Sequence, residues 1–159
     1  MRRTGQPERN AGAFLGPDLL VPVPMHTLSD EFEQLDFLYT PSRDVAADAQ
    51  FHVDRLGARL VFAIDDGGTR VAMVELTSGP PRIVFADHLD GVRSILVYRV
   101  PDLVAARADL LARGLSPERS LEIPQGPLSS YQAPGGHRFA LYQETRPGVL
   151  KHFEGRRDF

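Results

Sequence analysis

The chain has 159 residues, 42% of them hydrophobic, with a net charge of −3 and no cysteine. Its length suits one domain or two fused half-domains sharing a core, and its charge leaves no basic footprint for nucleic acid. The missing thiols exclude a disulfide framework, thiolate catalysis and thiolate metal sites, and no apolar run approaches membrane-spanning length.

Residues 1–33 read as an N-terminal extension whose first dozen positions are polar and expected to be disordered. Met1-Arg2-Arg3 resembles the start of a signal peptide, but Pro17, Asp18, Pro22 and Pro24 break the apolar stretch that follows. A cytoplasmic protein is therefore expected. Phe14, Leu15, Leu19, Leu20, Val21 and Val23 are too apolar to be left in water, so this arm is expected to pack on the body or on a partner subunit. Ser29-Asp30-Glu31 is expected to begin a brief helical turn.

A first unit, 34–90, opens with a strand at Leu35 to Thr40. A helix from Ser42, the expected N-cap, to Leu56 follows. Val45, Ala49, Val53 and Leu56 form its apolar stripe and Gly57 ends it. Strands are expected at Ala58 to Ile64, Arg70 to Leu76 and Arg82 to Ala86. The turn Asp65-Asp66-Gly67-Gly68 makes a hairpin of the first two.

A second unit, 94–144, repeats the order. It has a strand at Ser94 to Val100 and a helix from Asp102 to Arg113 with Leu103, Ala106 and Leu110 inward. Strands follow near Ser120 to Ile123, Leu128 to Gln132 and Arg138 to Gln143. The tail, 145–159, carries Leu150, Phe153 and Phe159 and reads as an ordered surface strap. The fold class is α+β, with tandem βαβββ units pairing into a curved-sheet cup over 34–144. Such a cup suits a small-molecule ligand.

Two passages carry a family resemblance. Val97-Tyr98-Arg99-Val100-Pro101-Asp102-Leu103, running into a helix, is similar to the strand–Val-x-Asp-Leu–helix opening of the vicinal oxygen chelate superfamily. This is the glyoxalase, bleomycin-resistance and extradiol dioxygenase group. Ala133-Pro134-Gly135-Gly136-His137-Arg138-Phe139-Ala140-Leu141-Tyr142 resembles its Pro-Gly-Gly-Asn turn before the last strand. The resemblance covers roughly 34–143 and implies the glyoxalase/bleomycin resistance/dioxygenase fold.

In metal-dependent members, the resemblance implies one His or Glu ligand from the first and last strand of each unit. In the second unit those places fall on Ile95 and Ala140. Matching Tyr39 to Tyr98 puts Asp36 at the first unit's first place, and matching Pro81-Arg82-Ile83-Val84 to His137-Arg138-Phe139-Ala140 puts Val84 at its last. Only Asp36 has a ligating atom, so no metal and no cofactor is expected. A divalent metal held by Asp87 and His88 near Glu75 is the alternative.

Strand alternation then proposes a lining. Asp36 and Ile95 inward bring Leu38, Val97 and Arg99; Ala140 brings Arg138 and Tyr142; Val84 brings Ala86; Tyr131, Gln132 and Glu75 join them. Phe37, Tyr39, Leu96, Tyr98, Phe139 and Leu141 are expected under the helices. Arg99 and Arg138 are placed to orient an oxyanion. In the competing reading Arg99 reaches solvent and Arg138 pairs with Glu75 or Asp36. Asp36 is the candidate base.

The expected function is metal-free binding of a small organic metabolite or antibiotic, anionic or aromatic, by a homodimer. One alternative is a glyoxalase-like lyase or isomerase using a non-standard metal site or Asp36. Another is an interaction module with a vestigial cup.

Overall fold

A computed structural model describes residues 31–159. The expected N-terminal arm, with its apolar stretch from Phe14 to Val23 and the start of its helical turn at Ser29, lies outside them. The described chain runs β1 (Gln34–Pro41), α1 (Val45–Leu56), β2 (Arg59–Asp66), β3 (Thr69–Glu75), β4 (Arg82–Ala86), β5 (Ile95–Arg99), α2 (Leu103–Ala112), β6 (Arg119–Ile123), β7 (Gly126–Gln132) and β8 (Arg138–Tyr142). A short 3-10 helix, Val149–His152, follows in the tail. The βαβββ order thus occurs twice.

All strands join one eight-stranded sheet in the order β2-β3-β4-β1-β5-β8-β7-β6. Each unit closes with its last strand parallel to its first, β4 on β1 and β8 on β5. The units meet where β1 and β5 run antiparallel. Strand twist, accumulated over this many strands, curls the sheet. One face carries the helices and the other forms the concave wall of the cup.

The helix positions follow from local chemistry. The side chain of Asp44, not Ser42, caps α1, accepting from the Ala47 N–H at 3.0 Å. Ser42 instead donates its hydroxyl to Asp48. Asp102 caps α2 in the same way, accepting from Ala105 N–H at 3.0 Å. Gly57, at φ 71°, ends α1 in the left-handed region that glycine adopts freely. Val45 and Ala49 are the buried part of the α1 stripe. They rest on Ala58, Ala63, Ala72, Val74 and Phe85. Leu56, expected in that stripe, is 51% exposed at the helix end. Under α2, Leu103, Ala106 and Leu110 pack on Val100, Tyr131 and Leu141.

The two caps and two matching backbone bonds register the repeat. Ser42 N–H donates to Ala86 O at 3.0 Å, and Val100 N–H to Tyr142 O at 2.9 Å. Asp44 therefore corresponds to Asp102, Ser42 to Val100 and Ala86 to Tyr142. Counting back along the strands, Thr40 falls on Tyr98, Tyr39 on Val97, Phe37 on Ile95, and Val84 on Ala140. The ladders agree: Tyr39 pairs with Val84 as Val97 pairs with Ala140. The expected match of Tyr39 to Tyr98 is one residue off: the helix cap lies four residues after Thr40 and four after Tyr98, so Thr40 is the counterpart of Tyr98.

Candidate functional site

The concave face is built from alternate strand residues, with adjacent residues joining it at the β-bulges of β1 and β2. Phe37, Val61, Phe62, Met73, Val84, Val97, Ile123, Leu128, Ala140 and Tyr142 form one buried cluster there. Tyr39, Ile64, Val71 and Ile95 pack against it, as do Leu150 and Phe153 from the tail.

The tail crosses the cup as a strap. Arg146 anchors its start on the β6–β7 turn, donating to Pro124 O and Ile123 O at 2.7 Å and to Glu122 at 2.8 Å. Phe153 then meets Phe62 with ring centroids 5.9 Å apart. Beyond it the strap pairs along β2. Gly155 N–H donates to Val61 O at 2.9 Å, Ala63 N–H to Arg156 O at 2.9 Å, and Asp158 N–H to Ala63 O at 2.8 Å. These bonds satisfy part of the edge that β2 presents. Phe159 finishes against the first helix cluster with the Arg70 guanidinium 4.7 Å from its ring centre.

The strap leaves two cavities. One, of ≈ 450 Å³, is walled largely by carbon, with Tyr39, Phe62, Ile64, Val71, Met73, Val84, Leu121, Ile123, Leu150 and Phe153 among its lining. Asp66, His88 and Glu122 stand at its polar margin. The other, of ≈ 510 Å³, is more polar and includes Gln34, Asp36, Glu75, Arg82, Tyr142, Glu144 and Lys151. Gln125 and Leu150 border both. A smaller hollow of ≈ 180 Å³ beside the apolar cavity is bordered by Ile95, Leu128, Arg138 and Ala140.

Asp36 is 7% exposed and is the one buried carboxylate among the described residues. Tyr142 Oη donates to its Oδ2 and Gln34 Nε2 to its Oδ1. Arg99 Nε stands 3.7 Å from Oδ2. Burial raises the Tyr142 pKa, and the hydrogen bond and charge of Asp36 add to that, so the phenol stays protonated as the donor. Burial alone does the same to Tyr39. Arg99 also reaches Glu33 at 2.9 Å and Glu144 at 3.3 Å. Burial disfavours its charge, but Asp36, Glu144, Tyr142 and Glu33 together more than offset this.

The structure brings Val84, Ile95, Val97, Ala140, Tyr142 and Asp36 to the concave face, as alternation predicts. Leu38 and Tyr131 are not there. A β-bulge between Leu35 and Phe37 inserts one residue, so Asp36 and then Phe37 and Tyr39 all face the cup. Leu38 turns to the helix side, level with Ile83 and Leu96. Tyr131 lies beneath α2, stacked on Phe139 at 5.3 Å. Tyr98, Phe139 and Leu141 do pack under α2 as expected, whereas Phe37 and Tyr39 belong to the cup. Arg138 borders the cup's mouth, but Glu118 holds its guanidinium with two 3.0 Å bonds, a partner neither sequence reading named.

The described residues do not fit a metal ion. By the register above, the four places that the family resemblance assigns to metal ligands are Phe37, Val84, Ile95 and Ala140, and none of these side chains has a lone pair to offer. Among the described residues no group of three or more His, Asp or Glu is placed to hold a metal. The alternative of Asp87 and His88 near Glu75 fails on topology. In the antiparallel β3–β4 pair, Asp87 lies beside Arg70, while Glu75 stands at the far end of β3 with Arg59 and Arg82.

Sequence reasoning missed Gln125, Phe62, Met73, Leu150 and Phe153. The β2 and β3 residues were readable from alternation about the hairpin. The tail and Gln125 had no periodic signal.

No protein-family model and no curated protein matches the chain. Solved structures do match. Methylmalonyl-CoA epimerase from Mycobacterium tuberculosis superposes with a TM-score of 0.63 at 21% identity, over 76% of this chain and 95% of that one. The Streptomyces coelicolor methylmalonyl-CoA epimerase in complex with 2-nitronate-propionyl-CoA gives 0.58 at 16% identity, over 72% and 99%. A hypothetical protein from Bacillus halodurans gives 0.61 at 12% identity, over 72% and 96%. The epimerases belong to the vicinal oxygen chelate superfamily.

Proposed function

We propose that this chain, which has the vicinal oxygen chelate fold, binds a small apolar or aromatic molecule in its ≈ 450 Å³ cavity without a metal ion. One observation carries the reading. The places that would hold a metal are carbon side chains, and Val84, Ile95 and Ala140 among them border the apolar cavity or the hollow beside it. The same substitution that removes a metal thus builds an apolar wall, which is what an organic ligand needs.

The geometry does not favour the epimerase chemistry named for the neighbours. Moving a proton at a carbon beside a thioester requires a positioned base and a stabiliser for the enolate oxygen. Here the single buried carboxylate among the described residues is already occupied by Tyr142 and Gln34. Nor do the arginines favour an anion: Arg138 is neutralised by Glu118, and Arg99 by Glu33, Asp36 and Glu144. An uncharged aromatic ligand suits the site better than a carboxylate.

The test is a fluorescence titration with an uncharged naphthalene probe. Val84→Trp, which grows into the cavity, and Leu121→Trp, at its partly exposed rim, are each expected to weaken binding at least about tenfold, roughly 1.4 kcal/mol. Two folded variants that bind like wild type, or a wild type that binds nothing, would overturn the reading.

A further inference from the structure

The wall between the two cavities is chemically uneven. Leu150 contributes carbon to both sides, and Gln125 contributes an amide. Gln125 is 5% exposed, and its Oε1 is enclosed without a hydrogen-bond partner among the described residues. An enclosed acceptor left without a donor is costly and uncommon. The turn that carries it is held hard in place. Gly126 has φ +154°, and a Cβ there would lie 2.1 Å from Gln143 O. The backbone carbonyl of Gln125 accepts from Thr145 and Arg146 N–H, both at 3.0 Å. The turn therefore holds Gln125 at the boundary of an apolar space and a more polar one.

We infer that the two cavities are the two ends of one site for an amphipathic molecule. Its apolar body fills the ≈ 450 Å³ end, and an uncharged head bearing an O–H or N–H donor meets the Gln125 amide. This rests on the function proposed above and adds the ligand class. An uncharged head follows from the lining of the polar end. Asp36, Glu75, Glu144 and Glu154 face Arg82, Arg146 and Lys151 there. Glu75 already holds Arg82 at 2.6 Å, and Glu122 holds Arg146 at 2.8 Å.

The experiment is calorimetric titration of the full chain with phenylbutanol, its methyl ether and phenylbutanoate. The alcohol is expected to bind about tenfold tighter than the ether, which lacks the donor, and the carboxylate more weakly than either. Gln125→Leu and Gln125→Met are expected to remove the difference between alcohol and ether. Equal binding of alcohol and ether by wild type overturns the inference, as does a difference that persists in both variants. A carboxylate that binds tightest also overturns it and assigns the polar end to an anion through Lys151. Binding of naphthalene but of none of the three overturns the inference and leaves the proposed function standing. Binding of no probe at all removes both.

Discussion

Replacing Tyr142 by Phe tests the polar floor of the cup. The side chain is 1% exposed and its hydroxyl donates to Asp36. A hydrogen bond to a charged group contributes about 1.5–3 kcal/mol. Phe keeps the ring contact with Phe37, whose centroid is 5.9 Å away. Asp36 keeps the Gln34 amide and the Arg99 guanidinium. The loss should therefore lie near the lower half of that range, about 2 kcal/mol, or roughly 4–8 °C in Tm for a chain of this length. Urea unfolding near neutral pH measures it. The pH dependence adds a second readout. Tyr142 has its pKa raised in the folded state above the ordinary 10.0, mainly by burial and then by Asp36. Its contribution is complete below that unfolded value and is lost as pH rises past it, because the unfolded phenol ionises and the folded one does not. The variant lacks this loss, so the gap between the two proteins should narrow from about pH 9 to about pH 11. A variant within about 0.5 kcal/mol of wild type near neutrality, or a gap that widens with pH, would refute the reasoning.

Two glycines, two arginines and the buried tyrosines give further outcomes. Gly126→Ala should cost at least about 3 kcal/mol in urea unfolding, from backbone strain and the clash with Gln143 O. Gly148→Ala, at φ +75° with open space around it, should cost only about 1 kcal/mol. Arg138→Met should change stability by less than about 1 kcal/mol, since its pair with Glu118 is partly exposed. Arg99→Met should cost more, about 1–2 kcal/mol, by leaving Glu33, Asp36 and Glu144 without their shared cation. Spectrophotometric titration of the folded protein should find Tyr39, Tyr131 and Tyr142 still protonated as pH passes 10.0, because burial leads the rise in each pKa. Early ionisation of all four tyrosines would contradict this.

Much of the fold could be read from the chain because it is written in local signals. Gly57, the Asp66–Gly68 turn and the cap at Asp102 each act within a few residues, and the strands alternate cleanly from Arg82 to Ala86 and from Arg138 to Tyr142. The site was less legible wherever one residue upsets the count. The bulge at Asp36 reverses the parity of β1, so Asp36 and Tyr142 were correctly placed while Leu38 was exchanged for Phe37 and Tyr39. Tyr131 was drawn into the cup by its chemistry, although its strand neighbours Ser130 and Leu128 face that way and it does not. Partners were harder still. Glu118 and Glu144 reach Arg138 and Arg99 from loops, where no periodicity says which way a carboxylate turns. The strap's path depends on the free edge of β2, a tertiary feature that its own residues do not encode.

The central claim is a cup that binds an uncharged organic ligand with no metal ion, and the most direct measurement joins the two halves of it. Protein purified without added metal is assayed for elemental content and titrated with the naphthalene probe before and after exhaustive chelation. The account predicts far less than one equivalent of Zn, Ni, Mn or Fe per chain and an affinity that chelation leaves unchanged. About one equivalent of metal, with probe binding lost on its removal and restored on its return, would contradict it.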